Sequence, residues 1–181
     1  MTVCAMPRGT GSHSWRAAAA TMVWPSTLLI ENNPMTSASQ KITRASTKQE
    51  MFDNGLKARK EVLGDAYVDR SFAIQDEFTD DTQDYLTVHS WGASWGRRDD
   101  AGNYILPLKT RSMLNLVMLC ALNRPHELEL HLRGAINTGI TKVEMKELFI
   151  HVAVYCGAPA LVEAVRIARK VWAEHEAAAK K

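Results

Sequence analysis

Two tetrapeptides do most to constrain what this chain can fold into. TKQE at Thr47–Glu50 and TKVE at Thr141–Glu144 each place a threonine three residues before a glutamate. In that spacing the hydroxyl and the carboxylate each satisfy a backbone N–H that the first turn of a helix leaves open. Gly64, Gly139 and Gly157 supply the matching stops, and Pro125 and Pro159 suit first helical turns. No run of alternating polar and apolar residues competes with these signals. The expectation is an all-α chain, a single helical domain of about six helices.

The first helix should run from Thr47 to about Leu63, and DRSFAIQDEF gives a short second one. The next opens with the acids of TDDTQD, which suit a helix N-terminus, and Gly92 and Gly96 weaken its end. RRDDAGNYILP is a loop built on the turn residues DDAGN. The most apolar stretch, LKTRSMLNLVMLCALN, should form a core helix of about twelve residues after Thr110, buried on most sides. Met145, Leu148, Phe149, Val152 and Tyr155 should share one face of the helix begun by TKVE. Leu161, Val162, Val165, Ala168 and Trp172 form the expected stripe of the last helix. Residues 47–176 are thus the folded domain, and 177–181 a frayed tail. Residues 1–46 read as a disordered leader, or as a mis-assigned start with Met35 the natural one.

The chain has 181 residues, 46% of them apolar and 23% charged, with a net charge of +2. This near balance gives no nucleic-acid or anionic-membrane signal, and no apolar run approaches the ~20 residues that span a bilayer. Cys4, Cys120 and Cys156 are odd in number and widely spaced, which argues against a disulfide framework. The expectation is a cytoplasmic protein without nucleic-acid or membrane partners. The load of apolar residues in MLNLVMLCAL and the last two helices exceeds what one small bundle hides, which favours self-association.

RPHELELHLRGA resembles the zinc-protease pattern with one residue too many. His126 and His131 are five apart, so on a helix they point about 140° apart and cannot share one metal; the protease geometry needs four. No metal site is expected. Glu127 and His131 are four apart and share a face, where a carboxylate can fix the imidazole tautomer and raise its pKa. The pair is either an acid–base site or an ordinary solvated pair at the margin of the Leu128–Leu132–Ala135 stripe. HSWGASWGRR packs His89, Trp91, Trp95 and Arg97 into ten residues. Tryptophan and arginine together suit an anion pocket with an apolar wall, although two core tryptophans and a basic loop would read the same way.

HSWGASWGRRD, the TRS of the apolar helix, NRPHELELHLRGA and YCGAPA together resemble the 4-carboxymuconolactone decarboxylase family, and LGDAYVDRS fits its N-terminal part; the likeness covers about residues 48–175. The resemblance implies an all-α fold that assembles into ring-like homo-oligomers, trimers or hexamers. It also implies cofactor-free decarboxylation of a lactone carboxylate in the protocatechuate branch of the β-ketoadipate pathway. A sister branch of thiol peroxidases carries C-x-x-C-x-x-x-H. Aligned on His131, its cysteines fall at Arg124 and Glu127, and Cys120 and Cys156 lie on different helices, so that activity is an alternative only if the fold brings the two together.

The implied substrate carries its own electron sink. As CO2 leaves the γ-carbon, the electron pair flows through the ring double bond into the lactone carbonyl, and the resulting dienolate is protonated at carbon. The protein must anchor a carboxylate, stabilise the growing oxyanion and deliver a proton. Arg97, Arg111 and Arg133 are candidates for the first task, since a guanidinium fork matches a carboxylate. His89 or His131 could supply the donor or the proton, with Glu127 orienting His131. Trp91 and Trp95 could wall the departing carboxylate, and Tyr155 is a further donor candidate. Alternatives are a relative acting on another unsaturated or β-keto acid, and a non-catalytic helical assembly protein.

Overall fold

The computed structural model describes Ile42, Thr43, Ala45 and residues 47–180. The expectation for residues 1–46 falls outside these, apart from the three named. The described residues form seven α-helices: α1 Lys48–Leu63, α2 Asp65–Ala73, α3 Asp80–Tyr85, α4 Leu108–Ala121, α5 Pro125–Asn137, α6 Lys142–Cys156 and α7 Ala158–Ala178. A π-helix, Leu86–Trp95, continues α3. The fold is all-α, as expected, with one addition: β1 Ile42–Thr43 pairs antiparallel with β2 Arg98–Asp99.

Local chemistry sets the boundaries. Both capping boxes form: the amides of Glu50 and Glu144 donate to the hydroxyls of Thr47 and Thr141 at 3.1 and 3.2 Å. Lys109 reaches the Glu144 carboxylate at 2.7 Å and, with the cap bonds, holds it down to about 2. Gly64 and Gly157 end α1 and α6 with φ of +87°, a region other residues rarely adopt. The DDAGN turn closes on Asp99, whose carboxylate accepts from the amides of Ala101 and Asn103 at 3.0 and 2.8 Å. The second helix lies earlier than expected, because Asp76 instead organises a turn, accepting from the amides of Phe78 and Thr79.

The main core lies among α4–α7, around Leu116, Leu132, Phe149, Val152 and Val171. A smaller core of Ala58, Val62 and Trp91 joins α1 to the π-helix, with Trp95, Tyr104 and Leu108 packed against it. Two expected faces need correction. Only Ser112, Leu116 and Cys120 of α4 are buried, while Leu114 and Met118 stand 52% exposed. The α7 stripe holds in part: Ala168 is buried and Leu161 and Trp172 pack against the core, joined by Ala164, Ile167 and Val171, whereas Val162 and Val165 face out. Helix α7 continues through Ala178, two residues into the expected frayed tail. Among the described residues no helix is long and apolar enough to cross a membrane.

Candidate functional site

The site begins with the approach of two backbones. A Cβ added at Gly55 of α1 would lie 2.2 Å from the Thr87 carbonyl oxygen and 2.6 Å from the Gly92 nitrogen; one added at Gly92 would lie 2.1 Å from the Met51 carbonyl oxygen. Gly96 meets Asn54 in the same way. These glycines do more than weaken a helix end, which is the role their positions suggest from sequence alone: they let α1 and the π-helix touch main chain to main chain. The π-helix closes with the Gly96 amide donating to the Trp91 carbonyl at 2.6 Å, the i to i+5 spacing that is rare and recurs at functional sites.

This segment presents Trp91 and Trp95 side by side, 4.9 Å between ring centroids. His131 comes from α5 to face both, 6.4 Å from Trp91 and 6.2 Å from Trp95, its plane within 20° and 22° of theirs. Partial burial against the indoles penalises the imidazolium and lowers the His131 pKa below 6.5, while the Glu127 carboxylate raises it by less. The net shift is therefore opposite to the expected one. Glu127 is exposed, so its field is screened by water, whereas the imidazole has lost part of its own. Burial thus favours the neutral imidazole over its cation.

The cations separate into two groups. Arg111, in the first turn of α4, donates to Ser94 Oγ at 3.3 Å; its Nε is shielded from solvent and unpartnered. Desolvation, then the charge of Arg97, lowers its pKa. Arg97 is exposed and lines a cleft of about 750 Å³ with Met51, Asn54 and Gly96. Neither arginine makes an ion pair with a carboxylate among the described residues. Arg133, by contrast, is held by Glu129 at 2.9 Å and Glu174 at 2.6 Å.

Of the residues singled out from sequence, the structure brings together Trp91, Trp95 and His131, with Arg111 joined through Ser94, the neighbour of Trp95. His89 is exposed and stacks on Tyr85 at 4.5 Å. Tyr155 is 76% exposed and pairs with His151. Neither has a ring contact with the Trp–His cluster. Among the described residues no three His, Cys, Asp or Glu side chains gather as a metal would need.

Arg59 is a residue that sequence reasoning missed. It is 5% exposed, donates to Thr87 Oγ1 at 3.1 Å and Gln83 Oε1 at 3.0 Å, and lies over the Phe72 ring. It ties α1 to the start of the π-helix with no carboxylate partner among the described residues. The signal was present: Gly55, Arg59 and Val62 fall on one helical face.

Residues 81–170 match the model of the carboxymuconolactone decarboxylase family. The chain is 38% identical over 124 residues to the 4-carboxymuconolactone decarboxylase of Acinetobacter baylyi, covering 68% of this chain and 88% of that protein. It is also 38% identical over 132 residues to the nitrosuccinic acid decarboxylase of Metarhizium robertsii, covering 73% and 88%. The fold matches the crystal structure of a candidate carboxymuconolactone decarboxylase from Burkholderia xenovorans LB400 with a TM-score of 0.50 and 23% identity, covering 75% of this chain and 99% of that one.

Proposed function

The chain belongs to the carboxymuconolactone decarboxylase family, and from that premise we propose that it is a cytoplasmic decarboxylase acting on 4-carboxymuconolactone, releasing CO2 to leave the 3-oxoadipate enol-lactone. The observation that carries this reading is the His131 imidazole facing two indoles, with the Arg111 guanidinium tied to Ser94, the neighbour of one of them. Arg111, which makes no ion pair among the described residues, anchors a substrate carboxylate. Trp91 and Trp95 enclose the departing carboxylate in an apolar wall, where its charge is less favoured than the neutral CO2 it becomes. His131, neutral because burial disfavours its cation, donates its N–H to the oxygen on which charge grows. Arg97 adds positive potential at the rim. The substrate absorbs the electron pair itself, so positioning and electrostatics are what the protein contributes. The functional unit is a homo-oligomer of three or six chains.

A second reading has the same standing in identity: a nitrosuccinate-type acid, as in the Metarhizium robertsii relative. There the nitro group takes the electron pair in place of the lactone carbonyl, and the same cation, donor and apolar wall serve. Purified protein given each acid separately, with CO2 release and ultraviolet absorbance followed, decides between them. Turnover of carboxymuconolactone alone supports the first reading, turnover of nitrosuccinate alone the second, and inertness toward both removes the two together.

A further inference from the structure

Cys120 and Cys156 stand 36 positions apart on different helices, yet the fold sets them on the wall of one cavity. Cys120 lies in the last turn of α4 and is 7% exposed; Cys156 is the last residue of α6 and is exposed. Both line a cavity of about 250 Å³ whose other walls include Arg124, Pro125, Leu128 and Ala160. The Trp–His131 cluster does not use either thiol.

We propose that Cys120 and Cys156 form a peroxide-oxidisable dithiol that closes to an intramolecular disulfide between α4 and α6. The two sulfurs have unequal tasks, and their surroundings match them. Attack on a peroxide needs an accessible thiolate, and Cys156 is the one open to solvent. Its sulfur takes one peroxide oxygen, the O–O bond breaks, and with a proton the other oxygen leaves as water, giving Cys156 sulfenic acid. The Cys120 thiol then attacks that sulfur. The S–S bond forms, the S–O bond breaks, and the hydroxyl leaves as a second water with the thiol proton. Two thiols are oxidised by one hydrogen peroxide, and no other reductant is needed.

Cys120 is suited to resolve and not to attack. Burial, with the Cys156 side chain adding to it, pushes its thiol up to about 11, which slows its own reaction with peroxide; in the second step its proton passes to the departing hydroxyl. Both residues sit at helix ends, where main chain gives most readily to reach disulfide geometry. The bond would clamp the cavity floor at Pro125 and Leu128, the start of the helix that carries His131.

The test uses the full-length chain with Cys4→Ser, which removes the third thiol. One equivalent of hydrogen peroxide per chain is added, free thiols are blocked, and the unreduced tryptic digest is weighed. Lys142 and Lys146 lie between the two cysteines, so trypsin separates them unless sulfur joins them. The expected result is loss of two thiols per chain, a linked Cys120–Cys156 peptide pair, and recovery of both thiols with dithiothreitol. A free Cys120 beside Cys156 sulfinic acid, a Cys156–Cys156 bond between chains, or two unreacted thiols would each overturn the proposal.

Discussion

His131 stacks on Trp95 with 6.2 Å between ring centroids and 22° between ring planes. The indole displaces water from one face of the imidazole, and this sets how the site responds to acid. With its folded pKa below 6.5, the unfolded chain takes up a proton first as pH falls. The stability contributed by His131 is therefore complete above about pH 6.5 and lost as pH drops through the lower folded value. Melting temperatures of the wild type and of His131→Asn, compared from pH 8 to pH 5, should show a steeper acid decline in the wild type. Parallel declines would mean that the imidazole is not desolvated.

Activity should separate His131 from His89. His131→Ala removes the donor proposed for the growing oxyanion and is expected to lower kcat/KM by about 10²–10⁴. His89 is exposed, with Tyr85 as its ring partner, and His89→Ala should stay within a factor of about 2. Steady-state assays on both, with folding verified by circular dichroism, measure the contrast. A larger loss for His89→Ala would move the site to the other side of the π-helix.

Arg111 offers a test that distinguishes binding from structure. Its hydrogen bond to Ser94 is long at 3.3 Å, and no carboxylate among the described residues pairs with it. Removing it should cost the protein little stability, because a half-buried, unpaired cation is itself unfavourable. Arg111→Leu is expected to raise KM about 10- to 100-fold, the equivalent of one charged hydrogen bond, with an unchanged or higher urea midpoint. A fall in stability with KM unaltered would make Arg111 a structural residue.

The glycine contact between α1 and the π-helix predicts large effects from a single methyl. At Gly55 and Gly92 the obstructing atoms are main-chain oxygens, 2.2 and 2.1 Å from the new carbon, and main chain cannot rotate aside as a side chain can. Gly55→Ala and Gly92→Ala should each lose about 1–3 kcal/mol or more by chemical denaturation. They should also reduce activity, since Trp91 and Trp95 ride on the displaced segment.

How much of this was legible beforehand follows the range of the forces involved. Caps and stops at Thr47, Gly64, Thr141 and Gly157 were readable because they depend on neighbours three or four residues away. The π-helix was not, because its spacing arises where Gly92 meets Met51, some 40 positions back in the chain. The α7 stripe has a similar origin: bulk favoured Val162 and Val165 as core, whereas close packing seats Ala164, Ile167 and Val171 beside the expected Ala168. Trp91, Trp95 and His131 were all singled out from composition and spacing, yet only the meeting of α5 with the π-helix placed them face to face. The sign of the His131 shift depended on that meeting too.

The apolar residues that those corrections turned outward predict an assembly. On α4 and its C-cap, Leu114, Met118 and Leu122 recur every four residues at 52%, 52% and 66% exposure; on α6, Ile150 and Val154 do so at 47% and 73%. Rows of this kind are costly to leave in water, at about 25 cal/mol per Å², and they mark contact surfaces more often than bare ones. The wild type should therefore sediment as a multiple of its 20.2 kDa chain, at three or six copies. Met118→Glu with Val154→Glu places a charge in each row without touching the buried core. The double variant should sediment as a monomer while keeping its helical circular dichroism. An unaltered mass would show that these rows do not form the interface, and a monomeric wild type would show that there is none.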